Sequence, residues 1–192
     1  MLVHSHPYTG MIIRSTLPYK NSVIIVSSQL GLREYTIPAK SLLVQGAFIR
    51  FTLQERRGKY TLKSSELIAL PHLWVMNDIL FLHRVLELIV FFVPYGSGIQ
   101  GLLEHCMLLF EKPEHEDLDW YKKLFICRLF SLLGVCPENA ELYNKNFLCL
   151  ISAPIDIMLN VQRAVLFDTI DIWMRGCIQS HPRSHEIKTY CL

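Results

Sequence analysis

The sequence lacks the short motifs that identify many catalytic and metal-binding proteins. It contains no CxxC pair, no GxSxG segment and no GKS/T phosphate-binding loop. The near pairs His4/His6 and His181/His185 have no second cluster that would complete a four-ligand site. Zinc binding, nucleophilic catalysis and P-loop nucleotide binding are therefore disfavoured. We expect a protein that is not an enzyme and that has no metal site and no cofactor.

The sequence also lacks a hydrophobic run long enough to span a membrane. The strongest candidate, 79–93, has 15 residues and contains His83, Arg84 and Glu87, whereas a spanning helix needs about 20 mostly apolar residues. The first ten residues have neither the charged region nor the apolar region of a signal peptide. The six cysteines are scattered, mostly among apolar residues, which favours buried thiols in a reducing compartment. We expect a cytoplasmic protein without a membrane partner.

Acidic residues are scarce in the first third of the chain. Residues 1–63 contain two acidic and nine basic residues, a balance of +7, whereas residues 64–192 contain fifteen acidic and ten basic residues, a balance of −5. A basic first third followed by an acidic remainder predicts a polyanion-binding module joined to a different kind of domain. The predicted nucleic-acid-binding residues are the nine basic ones: Arg14, Lys20, Arg33, Lys40, Arg50, Arg56, Arg57, Lys59 and Lys63.

Hydrophobic patterning changes near Leu70 and Pro71, which predicts two domains, 1–68 and 72–192. Before the change, five short β-rich segments are typical of a small barrel or sandwich. These predicted strands are 8–16, 22–28, 32–37, 48–54 and 60–67. After the change the period is helical, and Asn77 or Asp78 can cap the first helix. The predicted helices are about 78–93, 99–111, 114–133 and 160–174.

The basic first third has two interpretations. Lysine and arginine side chains neutralise phosphates, which gives affinity without sequence preference. Aromatic residues are interleaved with them, and a face that exposed some of these could stack bases. The aromatic residues concerned are Tyr35, Phe48, Phe51 and Tyr60. A solvated sheet face over an aromatic core explains the same pattern, and the residues alone leave both interpretations open.

Three segments, taken in order, resemble the RecO family of recombination mediators. The first is similar to the family's opening strands, the second to one of its helices with the turn that follows, and the third to its closing basic-Ser segment. They comprise residues 10–14 with 18–19, 23–26 and 30–31; residues 124–137; and residues 183–192. The resemblance covers nearly the whole chain and rests on the order and spacing of the three segments.

The resemblance implies an α+β protein, with a five-stranded OB-fold-like β-barrel followed by an all-α helical domain that serves as scaffold and docking surface. It implies a non-enzymatic DNA repair and recombination mediator that binds single- and double-stranded DNA and aids strand annealing. It also implies contacts with the acidic C-terminal tail of single-strand-binding protein and with RecR, so that RecA can load. The expected location is cytoplasmic, in association with the bacterial nucleoid.

Two features depart from the family pattern. Many RecO chains carry a four-cysteine zinc module after the proline that matches Pro137, whereas Cys149 stands alone here, so we expect no zinc. The family often has a dense basic loop after the third strand, and the corresponding segment 38–46 retains only Lys40. This predicts either weaker DNA binding or a shift of the DNA contact onto Arg56, Arg57 and Lys59.

Two other functions fit the same residues. An OB-type RNA-binding protein would use the same basic and aromatic chemistry. A protein-interaction adaptor would use the basic face to dock an acidic partner. Salt-dependent binding to oligonucleotides separates the adaptor from the nucleic-acid-binding proteins, and competition between DNA and RNA separates the latter two.

Overall fold

The structure, a computed structural model, shows an α+β protein whose strands precede its helices. It describes residues 2–16, 19–38, 43–56, 58–111, 117–135, 147, 151–153, 155–159 and 163–181. The chain divides into two compact units, Met1–Lys112 and Pro113–Leu192. The first unit contains the strands together with the helices that end by residue 107.

Five strands of the described chain form one sheet that closes into a ring. They are β1 (Leu2–Ser15), β2 (Ser22–Ser27), β3 (Gly31–Thr36), β4 (Phe48–Arg56) and β5 (Lys59–Ala69). Their order is β1-β2-β3-β5-β4, and β4 pairs back to β1. The β3–β5 pairing is parallel and joins Thr36 to Thr61, whereas the other pairings are antiparallel. We call the line between β3 and β5 the seam.

One face of each strand fills the interior of the ring. Successive side chains of a strand point to opposite faces, and the interior cluster takes alternate residues of β4, whereas Arg50 and Thr52 between them face outward. β2 is buried on both faces: Val23 and Ile25 belong to the interior cluster, and Ile24 on the opposite face is also buried. Each fully buried side chain of this size contributes about 1.5–3 kcal/mol.

The helices of the first unit are α1 (His72–Asn77), α2 (Ile79–Phe92) and α3 (Leu102–Met107). The Asp78 carboxylate caps α2 by accepting a hydrogen bond from the Phe81 N–H at 3.0 Å, which satisfies one of the unpaired donors of the first turn. α2 and α3 pack against β1, whose Met11 and Ile13 are buried on its outward face. The ring is therefore covered by helices on its β1 side.

The described helices of the second unit are α4 (Leu118–Leu132), α5 (Ile155–Leu159) and α6 (Arg163–Gln179). α4 packs against both α5 and α6. Trp120 stacks on Phe167 with ring centroids 6.2 Å apart, and Phe130 meets Trp173 at 6.3 Å. Because contacts advance along both helices together, α4 and α6 run in the same direction.

A largely buried ion pair joins α4 to α6. The Lys123 Nζ donates to Asp171 Oδ1 at 2.5 Å, and the same ammonium lies 3.1 Å from the centroid of the Phe167 ring. The two side chains are 9% and 20% exposed. Solvent screens such a pair poorly, so removal of one partner leaves an uncompensated charge.

The structure confirms most of the predicted strands and the first predicted helix. β2 to β5 begin and end within two residues of their predicted bounds, whereas β1 begins at Leu2 rather than at residue 8. α2 follows Asp78 as predicted. α3 is shorter than predicted because Gly101, at φ +79, precedes it in a left-handed conformation. Each helix of the described chain is too short or too polar to cross a bilayer.

The predicted end of the last helix is wrong, and two short helices were not predicted. α6 does not end at Arg175-Gly176 but continues to Gln179. A glycine inside a helix costs about 1 kcal/mol relative to alanine, and the burial of Cys177 and Ile178 beyond it offsets that cost. The short helices α1 and α5 were not predicted, since six and five residues carry too little periodicity to be recognised.

The compact units and the predicted domains divide the chain by different criteria, which are packing for the units and hydrophobic pattern for the domains. Strands give way to helices between Ala69 and His72, close to the predicted change at residues 70–71. The first unit nevertheless continues to Lys112, because α2 and α3 pack against β1. The described helices thus belong partly to each compact unit, and the predicted domain at 72–192 stays a prediction.

A pair of glycine substitutions tests how the ring is packed. Gly31 and Gly58 both have a left-handed φ, +66 and +74. A β-carbon on Gly31 would lie 2.2 Å from the Ser97 carbonyl oxygen, whereas one on Gly58 meets no described atom within 4 Å. Both alanine variants incur the left-handed penalty of about 1–2 kcal/mol, and we expect Gly31→Ala to lose at least twice as much unfolding free energy as Gly58→Ala in urea. Equal losses would contradict the close approach of Ser97.

A second prediction concerns the ion pair between α4 and α6. We expect Asp171→Ala to lower the free energy of unfolding by about 3 kcal/mol, since Lys123 is left unpaired, whereas the double variant Lys123→Met/Asp171→Leu should recover most of the loss. Asp119→Ala is the control, because Asp119 forms an exposed pair with Lys122 at 3.0 Å and such pairs contribute at most about 1 kcal/mol. Similar losses for Asp171→Ala and Asp119→Ala in urea unfolding would show that burial does not strengthen the inner pair.

Candidate nucleic-acid interface

The β1–β2 turn presents an aromatic side chain beside a lysine. Tyr19 is 95% exposed, and Lys20 next to it is also exposed. The N–H groups of both residues donate to the Thr16 carbonyl oxygen at 3.0 and 3.1 Å, and Thr16 Oγ1 donates to the Lys20 carbonyl oxygen at 3.0 Å. The backbone groups of Tyr19 and Lys20 are therefore hydrogen-bonded to Thr16, while the two side chains extend into solvent.

The strand register places the β1–β2 turn and the β4–β5 turn within three residues of one row across the sheet, on opposite sides of that row, because β2 and β5 run in opposite directions. Ser22, which follows the first turn, pairs with Thr36, and Thr36 pairs across the seam with Thr61. Lys59 is exposed and begins β5 just after Gly58 of the second turn. We call the described residues of the two turns, 19–21 and 58–60, the turn edge. It carries two exposed ammonium groups and one exposed aromatic ring.

An arginine–tyrosine pair lies at the seam, next to the turn edge. The Arg33 guanidinium carbon is 5.2 Å from the centroid of the Tyr60 ring, and its Nε donates to the Leu30 carbonyl oxygen at 3.1 Å. Both side chains are partly exposed. A cation over an aromatic face contributes about 0.5–1 kcal/mol at an exposed site and more where water is excluded. The pair thus places a planar positive group over the Tyr60 ring, where it is partly accessible to solvent.

Tyr35 lies behind this pair with its hydroxyl buried. The residue is 0% exposed, and its hydroxyl has no hydrogen-bond partner among the described residues. Its ring meets those of Phe51 and Tyr60 at 5.7 and 6.4 Å. Burial raises the pKa of Tyr35 to about 12, the positive charge of Arg33 opposes this rise, and Tyr60 and Tyr8 add to it. The hydroxyl therefore has Arg33, Tyr60 and Tyr8 as its electrostatic neighbours.

The outward face of β2 and β3 is closed to stacked bases. Ile24, Val26 and Leu32 on this face are all buried. The Gly96 N–H donates to the Leu32 carbonyl oxygen at 2.9 Å, so the chain after α2 extends along the free edge of β3. Glu34 is the exposed charge on this part of β3. An apolar, covered surface with an exposed carboxylate is unsuited to a phosphate backbone.

The basic residues predicted to bind nucleic acid lie on several different parts of the ring where the structure describes them. Lys20 and Lys59 lie on the turn edge, and Arg33 lies at the seam. Arg14 is exposed on β1, and Arg50 is exposed on the outward face of β4. The remaining residues of the predicted set are Lys63, which is exposed on β5, and Lys40, Arg57 and the side chain of Arg56, which lie outside the described residues.

Arg50 already forms an ion pair with an acidic neighbour. Its Nη1 donates to Glu66 Oε2 across the β4–β5 pairing at 3.2 Å, with the two side chains 54% and 68% exposed. An exposed pair of this kind contributes at most about 1 kcal/mol to stability. Its consequence for binding is greater, since the carboxylate cancels the positive charge that a phosphate would meet.

Most of the aromatic residues that were predicted to stack on bases are buried. Tyr35 and Phe51 belong to the interior of the ring, and Phe48 packs against Phe110 with ring centroids 6.0 Å apart. Tyr60 alone among the four predicted residues is partly exposed. Sequence reasoning missed Tyr19 as a stacking candidate, although its place beside a lysine in a predicted turn was a usable signal.

The described residues contain no cluster that could bind a metal ion, and their three described cysteines are buried. No group of three or more histidine, cysteine, aspartate or glutamate residues in this part of the chain could hold a metal ion. Cys106, Cys127 and Cys177 are free and buried. Burial raises the pKa of Cys106 to about 12 and also raises the pKa of Cys127, so neither thiol is a nucleophile at neutral pH.

Comparison of the chain with protein-family models and with curated proteins finds no match. The resemblance to the RecO family therefore stands on the three sequence segments named above.

The buried hydroxyl of Tyr35 makes a stability prediction. An unpaired buried hydroxyl is unfavourable, so we expect Tyr35→Phe to raise the free energy of unfolding by about 1 kcal/mol at pH 7. Because the pKa of Tyr35 rises from 10.0 to about 12 on folding, its neutral form supports the fold fully below pH 10, and this support is lost as the pH rises towards 12. Tyr35→Phe should lack that alkaline loss in urea unfolding. The exposed control Tyr19→Phe should change neither the free energy of unfolding at pH 7 nor its loss at alkaline pH. A lower free energy of unfolding for Tyr35→Phe would show that the hydroxyl has a hydrogen-bond partner.

Proposed function

We propose that the protein is a non-enzymatic DNA-binding protein of the recombination-mediator kind, as the resemblance to the RecO family implies. The observation that supports the proposal is the turn edge: Tyr19, Lys20 and Lys59 are exposed in the two turns that flank the pairing of Thr36 with Thr61, and Arg33 lies at the seam. Lysine and arginine neutralise phosphates, and aromatic rings stack on bases. Both chemistries therefore occur in the turns that flank the seam.

The strand ring supports an OB-type barrel. The OB fold is a five-stranded, partly open Greek-key barrel that binds oligonucleotides through its β1–β2 and β4–β5 loops and the face of strands 2 and 3. Here five strands form a closed ring in the order β1-β2-β3-β5-β4. The pairing of Thr36 with Thr61 joins β3 to β5 and closes the ring. The two loops are accessible, whereas the face of β2 and β3 is buried. Binding is therefore assigned to the loops and the seam.

The proposed mechanism is positional rather than chemical. Lys20 and Lys59 attract the phosphate backbone and release its counterions, so affinity falls as salt rises. Tyr19 offers a ring on which a base can stack. In this proposal the barrel holds DNA, and the helical region 72–192 is scaffold and docking surface. The partners are single- and double-stranded DNA, the tail of single-strand-binding protein and RecR, and the outcome is strand annealing and RecA loading in the bacterial cytoplasm.

The turn edge gives a direct test of the proposal. We expect the unmodified protein to bind single-stranded DNA in a salt-dependent manner and Lys20→Ala/Lys59→Ala to bind it more weakly. Each lysine that contacts a phosphate contributes about 0.7 to the slope of log K against log salt, so the slope should flatten by about 1.4 if each lysine contacts one phosphate. Fluorescence anisotropy with a labelled oligonucleotide at several salt concentrations measures both effects. Both positions are exposed, so folding should survive.

The matched control is Arg50→Ala/Arg84→Ala. It removes the same net charge, but Arg50 is paired with Glu66 and Arg84 lies on α2, so neither belongs to the turn edge. We expect this variant to keep the slope of the unmodified protein. Equal flattening by the two double variants would show that net charge, not the turn edge, determines binding. An unmodified protein that binds no oligonucleotide at low salt would favour the adaptor, and preferential binding of RNA in competition would favour the RNA-binding alternative.

A further inference from the structure

The Arg33 side chain is held at one end and available at the other. Its Nε is bonded to the Leu30 carbonyl oxygen at 3.1 Å, and no described residue accepts a hydrogen bond from its terminal Nη groups. A β-carbon at Gly96 would lie 3.7 Å from Nη2, so the absence of a side chain at Gly96 leaves space beside the guanidinium. A planar fork of N–H donors in this setting matches the two oxygens of a phosphate group.

The Tyr60 ring is the flat surface below the guanidinium. It is partly exposed, and Arg33 lies over it at 5.2 Å. A base and a guanidinium group occupy the same kind of position on an aromatic face. A nucleotide whose phosphate draws Arg33 aside would therefore uncover the ring for its own base.

The seam has a polar group that could meet the edge of such a base. The Tyr35 hydroxyl is buried and has no partner among the described residues. The edge of a nucleobase carries both hydrogen-bond donors and acceptors, so it can satisfy this hydroxyl. Access requires the seam to open, and the seam is closed by the pairing of Thr36 with Thr61, whereas the antiparallel pairings extend over several residues.

We propose that the seam is a subsite for one unpaired nucleotide, with its phosphate on Arg33 and its base on Tyr60. The proposal rests on the proposed function and deepens it, because it separates affinity from selectivity. The lysines of the turn edge contact phosphates of any strand. A base can reach Tyr60 only where it is not stacked and paired in a duplex. The seam thus makes the protein prefer single strands.

The experiment compares single-stranded and duplex DNA of one sequence. We expect Arg33→Gln and Tyr60→Ala each to weaken single-strand binding about tenfold, within the range found for loss of a stacked base, and to leave duplex binding within twofold. Tyr60→Phe keeps the ring and should keep the affinity of the unmodified protein. Lys63→Ala removes one exposed charge from β5 and should not change the ratio between the two strand forms.

A second measurement guards against a variant that fails to fold. A single-stranded oligonucleotide that contains 2-aminopurine reports stacking directly, since its fluorescence is quenched when the base stacks. We expect quenching with the unmodified protein and Tyr60→Phe, and its loss with Tyr60→Ala at a protein concentration that keeps the oligonucleotide bound. Quenching that persists in Tyr60→Ala, or equal weakening of single-strand and duplex binding, would overturn the subsite while the proposed function survives. If the unmodified protein binds neither strand form, the proposed function and the subsite fail together.

Discussion

The pairing of Thr36 with Thr61 is the contact on which the rest of the first unit depends. It closes the ring between β3 and β5, whereas the antiparallel pairings form longer ladders. Without it the five strands would remain one sheet through the pairing of β1 with β4, but the sheet would be open and Arg33 would have no Tyr60 below it. A parallel contact between strands far apart in sequence is entropically costly to form. The ordered ladders on either side of it therefore have to position both strands before they meet.

Burial on both faces of β2 decides where a ligand can bind. A strand with one wet face alternates apolar and polar residues, but Val23–Val26 is apolar throughout and entirely buried. The interior of the ring takes one face, and the outward face is also removed from solvent. The same packing that stabilises the ring closes the strand surface that an OB-type protein usually offers to nucleic acid. The proposed binding is therefore assigned to the loops and the seam, where Lys20 and Lys59 are exposed.

Local features of the fold could be predicted from the sequence, and long-range ones could not. β-branched runs and turn residues predicted the strands, and Asp78 predicted the start of α2, because each signal lies within a few residues of its effect. The resemblance implied a ring of five strands, but no local pattern places Tyr60 beside Arg33. That neighbourhood depends on the register across the seam, which joins residues far apart in the chain. The burial of Tyr35 and Phe51 follows from the same closure, so their spacing alone could not distinguish a stacking face from a core.

Charge acts locally in this protein. The +7 balance of residues 1–63 therefore overstates the positive charge that a ligand would meet at the turn edge. Glu66 cancels Arg50, and Glu34 lies on the closed face of β3. Exposed charges are screened over about 8–10 Å at ordinary ionic strength, so an exposed arginine elsewhere on the ring adds little to binding at the turn edge. Lys20 and Lys59 are exposed and fully subject to this screening. Arg33 is partly shielded between Tyr60 and the chain at Gly96, so its contribution should persist at salt concentrations that remove theirs. Rising salt would then weaken binding to every strand while sharpening the preference for an unpaired one.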